Sequence, residues 1–81
     1  RMEKLTELVA RVLNIGQDVI NDSSSPETVP EWDSLNGIVL VIELEKNFNV
    51  KFTMDEVMAV QNFSDIKKAL QKHNVRDEVI E

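Results

Sequence analysis

The run Trp32-Asp33-Ser34-Leu35-Asn36-Gly37-Ile38-Val39-Leu40-Val41-Ile42-Glu43-Leu44-Glu45-Lys46-Asn47-Phe48 decides the fold. From Ser34 onward its apolar residues cover most of a helical circumference. At about 100° per residue, Gly37, Leu40, Val41, Leu44 and Phe48 share one broad side. Leu35, Ile38, Val39 and Ile42 extend the arc round toward Lys46, leaving Asn36, Glu43 and Asn47 on a narrow polar strip. A helix with one neighbour needs one apolar stripe, so this helix either lies at the centre or turns its second patch toward a ligand or partner. Asp33 reads as its N-cap, a carboxylate placed to accept an orphan backbone N–H. Trp32, just before the cap, suits a staple contact or a core anchor. Ser34 takes the first helical position, where an exposed hydroxyl stands among free N–H groups that favour a phosphate.

Outward from this run, the rest of the chain also reads as helical. Leu5, Leu8, Val9, Val12 and Leu13 form one stripe, predicting a helix over about residues 2–15 with Gly16 as its stop. From Gly16 to Asp33 periodicity is lost and Ser23, Ser24, Ser25, Pro26 and Pro30 appear, which predicts a loop. Connections beyond about 12–15 residues are uncommon in small domains and are often functional. Val19, Ile20 and Val29 are expected to pin this loop to the core, with a short turn interrupting it. Thr53 and Glu56 form a capping box that opens a short helix over 54–59, with Val57 and Val60 facing inward. Asn62 and Asp65 give the Asn/Asp version of the same box and open a helix over about 63–73 carrying Phe63, Ile66, Ala69 and Leu70. Val50 and Phe52 are expected to face the core between these elements. Val75, Val79 and Ile80 fit no motif.

Composition sets the outer limits. Eighty-one residues at 9.3 kDa make one domain, 1–81, with one thin core. Met2 reads as the natural start, with Arg1 a remnant before it. Without cysteine there is neither a disulfide framework nor a thiolate metal site. No apolar run approaches the roughly 20 residues that span a bilayer, and no signal segment opens the chain, so a cytoplasmic protein is expected. Fifteen Asp and Glu against nine Lys and Arg leave a formal charge of −6. That balance disfavours nucleic acid, whose phosphates attract Lys and Arg, and suits docking on basic partner surfaces.

The inventory for catalysis is thin. His73 is the only histidine and is expected on an exposed face near the chain end. It has no second histidine for a metal site. Asp55 and Glu56 sit in a first turn, where the helix dipole already favours them. Gly16 and Gly37 make no phosphate loop, and no twelve-residue calcium loop occurs. No catalytic residue and no metal ligand is predicted.

Asp33-Ser34-Leu35, followed by Leu40, Glu43, Leu44, Glu45 and Phe48, resembles the acyl carrier protein family, whose motif is Asp-Ser-Leu at the start of the second helix. The resemblance runs on through Val50, Phe52, the Thr53–Glu56 helix start, Val57, Val60 and Phe63-Ser64-Asp65-Ile66, covering roughly residues 3–72. It implies an all-α, acyl-carrier-like four-helix bundle with a long first loop and a short third helix. It implies 4′-phosphopantetheine, taken from coenzyme A, carried covalently on Ser34, with Asp33 and Leu35 completing the motif. Acyl groups would ride on the arm as thioesters. The implied partners are a phosphopantetheinyl transferase (a holo-acyl-carrier synthase), an acyl- or aminoacyl-loading ligase or transferase, and synthase enzymes. A monomer is expected.

Departures from the family pattern point away from primary fatty-acid synthesis. Glu31 and Trp32 precede the Asp where a glycine is frequent two residues before it. Val39 replaces a frequent acidic residue, Glu43 replaces a small one, and Lys46 and Asn47 dilute the acidic run. A specialised pathway is therefore expected, such as polyketide, lipid-modification or aminoacyl transfer. Leu35, Val39, Ile42, Glu43 and Glu45 are the expected partner contacts. Ile38, Ile42, Val57 and Val60 are expected to line a space for the acyl chain. The rival reading is a non-carrier helical interaction module using the apolar and acidic face of the second helix; a small enzyme is the more distant rival.

Overall fold

In the computed structural model, which describes residues 2–81, five α-helices and one 3-10 turn follow one another: α1 Leu5–Leu13, the turn Gln17–Val19, α2 Ser34–Phe48, α3 Met54–Ala59, α4 Phe63–Lys72 and α5 Asp77–Ile80. Arg1, read as a remnant before Met2, lies outside the described residues. No strand occurs among them. The helix expected over residues 2–15 is shorter, and the bundle gains a fifth element that the sequence reading lacked.

One device ends three of the helices. Asn14, Asn49 and Asn74 take the left-handed conformation, with φ of 55°, 54° and 65°. Asparagine tolerates that region better than other residues bearing a Cβ. The next residue, Ile15, Val50 or Val75, donates its N–H five residues back, to Ala10, Glu45 and Leu70 respectively. That is the Schellman closure, in which an apolar residue after the left-handed position packs back onto the helix. Ile15, Val50 and Val75 all pack against the core. Asn14, not Gly16, therefore stops α1; Gly16 has an ordinary φ of −71°.

The core joins Leu5, Leu8, Val9 and Leu13 of α1 to Leu40, Leu44 and Phe48 of α2 and to Phe63, Ile66 and Leu70 of α4. Trp32 is buried with them as a core anchor. α1 lies along α2, and Glu43 and Asn47 of the polar strip of α2 reach across this junction. The Asn47 amide accepts the Glu3 N–H at 2.8 Å and donates to the Glu3 carbonyl at 2.9 Å. Glu43 pairs with Arg11 at 2.8 Å. Ile80 is only 2% exposed, with Val75 and Val79 packed beside it, so the C-terminal residues that matched no motif close one end of the core.

The long loop is bonded from within and to α4. Ser24 and Ser25 are buried: the Ser24 hydroxyl accepts the Asn21 N–H, and that of Ser25 accepts the Glu27 N–H. Phe63 and Ser64, at the start of α4, donate their N–H groups to the Ser24 and Asp22 carbonyls at 2.8 and 3.0 Å. Lys67 pairs with Asp22 at 2.9 Å above the same junction. Ile20 and Val29 pack on the core as expected. Val19 does not: the 3-10 turn carries it outward and leaves it 54% exposed.

α3 is the lightest element. None of its residues is fully buried, and Val57 and Val60 are half-buried. Its capping box is complete, since Thr53 accepts the Glu56 N–H at 3.1 Å and Glu56 accepts the Thr53 N–H at 2.8 Å. At α4 the expected box is only half formed. Asn62 accepts the Asp65 N–H, while the Asp65 carboxylate reaches one residue further back, to the Gln61 N–H.

Candidate functional site

Ser34 opens α2 with an exposed side chain, and Asp33 before it has extended backbone and caps the helix by accepting the Asn36 N–H at 2.9 Å. Asn36 in turn donates its side-chain amide to the Glu31 carbonyl at 2.8 Å, which fixes how the loop enters the helix. A helix start leaves its first N–H groups without acceptors inside the helix, and these, with the positive end of the dipole, favour an anion. An exposed hydroxyl at this point, with its cap supplied by a different residue, fits a phosphodiester without loss of structure.

Ser34 also stands on the wall of an apolar cleft of about 460 Å³. The cleft runs between α2 and α3, and Ile38, Ile42, Val57 and Val60 all line it. Sequence reasoning did not assign Trp32, Phe52, Ile66 and Ala69 to this cleft, yet they also line it. The volume lies in the range typical of small-molecule sites, roughly 300–1,000 Å³. Gly37 sits there too: a Cβ added to it would come no closer than 3.9 Å to Trp32 Nε1, an ordinary contact. Gly37→Ala is therefore expected to raise stability by about 0.5–1 kcal/mol through helix propensity alone. Urea denaturation checks this; a loss of stability would show that the glycine answers a packing need.

Leu35, Ile38 and Ile42 are 69%, 61% and 50% exposed, so the second apolar patch of α2 does face solvent. Met54 and Met58 extend it across the cleft, each 72% exposed. Their i, i+4 spacing puts them side by side on α3 and was the sequence signal that could have added them. The remaining expected partner contacts lie elsewhere. Val39 is half-buried at the flank of the patch. Glu43 is turned toward α1 and pairs with Arg11, which lowers its carboxyl pKa, chiefly through that hydrogen bond. The Glu45 carboxylate accepts the Phe52 N–H at 2.9 Å and braces the connection between α2 and α3. The exposed apolar residues are thus brought together, while the two carboxylates work inside the molecule.

His73 is not on an open face. It is half-buried at the end of α4, its Nε2 lies 2.9 and 3.0 Å from the two Glu56 oxygens, and its ring meets Phe52 edge-on at 5.3 Å. Glu56 is held below the usual carboxylate range, first by the Thr53 N–H and then by His73. Among the described residues, no group of three His, Cys, Asp or Glu side chains could hold a metal ion, and no helix is long and apolar enough to cross a membrane.

Residues 3–70 match the family model described as a phosphopantetheine attachment site, and the chain belongs to that family. Two acyl carrier protein sequences from Brachyspira hyodysenteriae, one from strain ATCC 49526 / WA1, are each 29% identical over 73 residues. The aligned part covers 89% of this chain and 94% of each relative. The solution structure of the holo acyl carrier protein from Geobacter metallireducens superposes with a TM-score of 0.77 at 26% identity, over 84% of this chain and 78% of the other. The cofactor of the family is phosphopantetheine.

Proposed function

We propose that residues 1–81 are a single acyl carrier domain on which Ser34 bears 4′-phosphopantetheine. The observation that carries this reading is the exposed Ser34 hydroxyl at a helix start, capped by Asp33 and opening on an apolar cleft, in a chain of the attachment-site family. A phosphopantetheinyl transferase would supply the arm from coenzyme A. When bound, the arm supplies a thiol that holds acyl groups as thioesters. Tethering keeps each intermediate at high local concentration for the next enzyme, and the bond-making chemistry belongs to those partners: a loading ligase or transferase, then synthase enzymes. A monomer in the cytoplasm, serving a specialised pathway, completes the proposal. The test is intact-protein mass: one phosphopantetheine added in the presence of coenzyme A and a transferase supports it, and none refutes it.

The side chains of this domain have two tasks in that scheme. Leu35 and Ile42, flanked by Val39, offer partners an apolar docking face beside the attachment point. Glu43 and Glu45 serve docking indirectly, by setting α2 against α1 and against the α3 connection. Ile38, Ile42, Val57 and Val60 shelter an acyl chain, each covered methylene contributing about 0.8 kcal/mol. Leu35→Asp tests the docking face. An acidic residue in the first turn suits the dipole, so the unfolding midpoint should stay within about 0.5 kcal/mol of the parent. The KM of the transferase for the domain should rise about tenfold or more. Unchanged KM with intact folding would remove Leu35 from the docking face.

A further inference from the structure

The cleft has one lightly held wall, and the Glu56 side chain ties it to α4. α3 buries no residue fully, and its half-buried Val57 and Val60 face the cleft, where apolar cargo would compete for them. Its polar tie to α4 is Glu56, which lines the cleft and reaches His73 with both oxygens, at 2.9 and 3.0 Å. The same carboxylate caps α3 through the Thr53 N–H, so His73 holds the helix by its capping residue. Phe52, just before α3, stacks edge-on to the His73 ring, so the ring fixes both the start of α3 and the segment entering it.

We propose that His73 is a positioning residue that latches α3 over the cleft. The acceptor of the latch is the Glu56 carboxylate, held below the usual carboxylate range by the Thr53 N–H and by His73. Hydrogen bonds to an ionised acceptor are stronger than those between neutral groups. The other charged groups nearby are Asp55 of α3 and Asp65, Lys68 and Lys72 of α4, which line a shallow groove alongside Glu56. On the Phe52 side stands Glu45, whose carboxylate is occupied by the Phe52 N–H.

The consequence for cargo rests on the carrier reading; the latch itself does not. Amide hydrogen exchange on the full chain, corrected for intrinsic rates, tests the latch directly. The Val57 N–H is bonded to the Thr53 carbonyl, and the Leu8 N–H in α1 to that of Lys4, so one reports α3 and the other the core. His73→Phe keeps an aromatic ring beside Phe52 but loses the tie to Glu56, and in it we expect opening at Val57 to increase about three- to tenfold over the parent while opening at Leu8 stays level. His73→Gln retains a donor on a shorter reach; it should open Val57 by an intermediate factor, and it provides the comparison if the Phe variant fails to fold. Opening at Val57 that is unchanged in both variants, or an increase shared equally by Leu8, overturns the latch. Failure of Ser34 to accept phosphopantetheine would instead remove the carrier reading and leave the exchange result standing.

Discussion

Ser34→Ala is expected to take up no phosphopantetheine, whereas the parent should gain one group per chain and no more; intact-protein mass spectrometry after incubation with coenzyme A and a transferase reads both. The other serines explain why the effect should be all or none. Ser24 and Ser25 are buried at 7% and 8% exposure and committed to loop hydrogen bonds. The Ser23 hydroxyl donates to the Asn21 side chain at 2.7 Å, and Ser64 is half-buried in the first turn of α4. Only Ser34 combines exposure, a helix start and the edge of the cleft. The variant should fold like the parent, within about 0.5 kcal/mol, because the capping bond comes from Asp33. Asp33→Ala makes the complementary case. It leaves the hydroxyl in place but removes the cap, at about 1 kcal/mol of stability. Equal modification of Ser34→Ala would refute the attachment point, and modification of neither protein would refute the carrier reading.

What the sequence made legible, and what it hid, follows from the range of the interactions. Capping and periodicity are local, so Asp33 and Thr53 marked the starts of α2 and α3, and the two apolar sides of α2 separated in projection. The projection could not say which side met the core. That depends on α1 and α4, which cover Leu40, Leu44 and Phe48 and leave Leu35, Ile38 and Ile42 outside. Glu43 and Glu45 looked like surface acids because their partners, Arg11 and the Phe52 N–H, come from other segments. His73 is the same case: Glu56 and Phe52 are distant in sequence, so nothing local announced them. One local signal was present but unused. Asparagine followed by a branched apolar residue occurs at Asn14-Ile15, Asn49-Val50 and Asn74-Val75, and each pair closes a helix. Reading those pairs would have ended α1 correctly and shown Val75 turning back toward the core.

Removing residues 75–81 should largely unfold the domain at 25 °C, although the family match ends at residue 70. The deletion takes away Ile80, which is 2% exposed, and the apolar packing of Val75 and Val79. It also removes the bond from the Lys4 ammonium to the Glu78 carbonyl and the Thr6–Glu81 contact at 2.7 Å, both of which tie α5 to α1. Cutting a buried Ile or Leu back to Ala costs about 2–5 kcal/mol, and here two further apolar side chains go with it. A chain of this size has about 4–12 kcal/mol in hand at roughly 0.05–0.15 kcal/mol per residue. The loss is thus of the same order as the whole. Ile80→Ala is the graded version: it should keep the fold while lowering the melting temperature by about 10 °C or more, since each kcal/mol shifts a domain of this size by about 4–8 °C. Circular dichroism melts of the two proteins decide the matter. A truncated chain that melts cooperatively at the parent temperature would show that α5 merely lies on the surface of a core complete without it. A large fall for Ile80→Ala alone would show that the core of this carrier extends past the matched residues to its C-terminal helix.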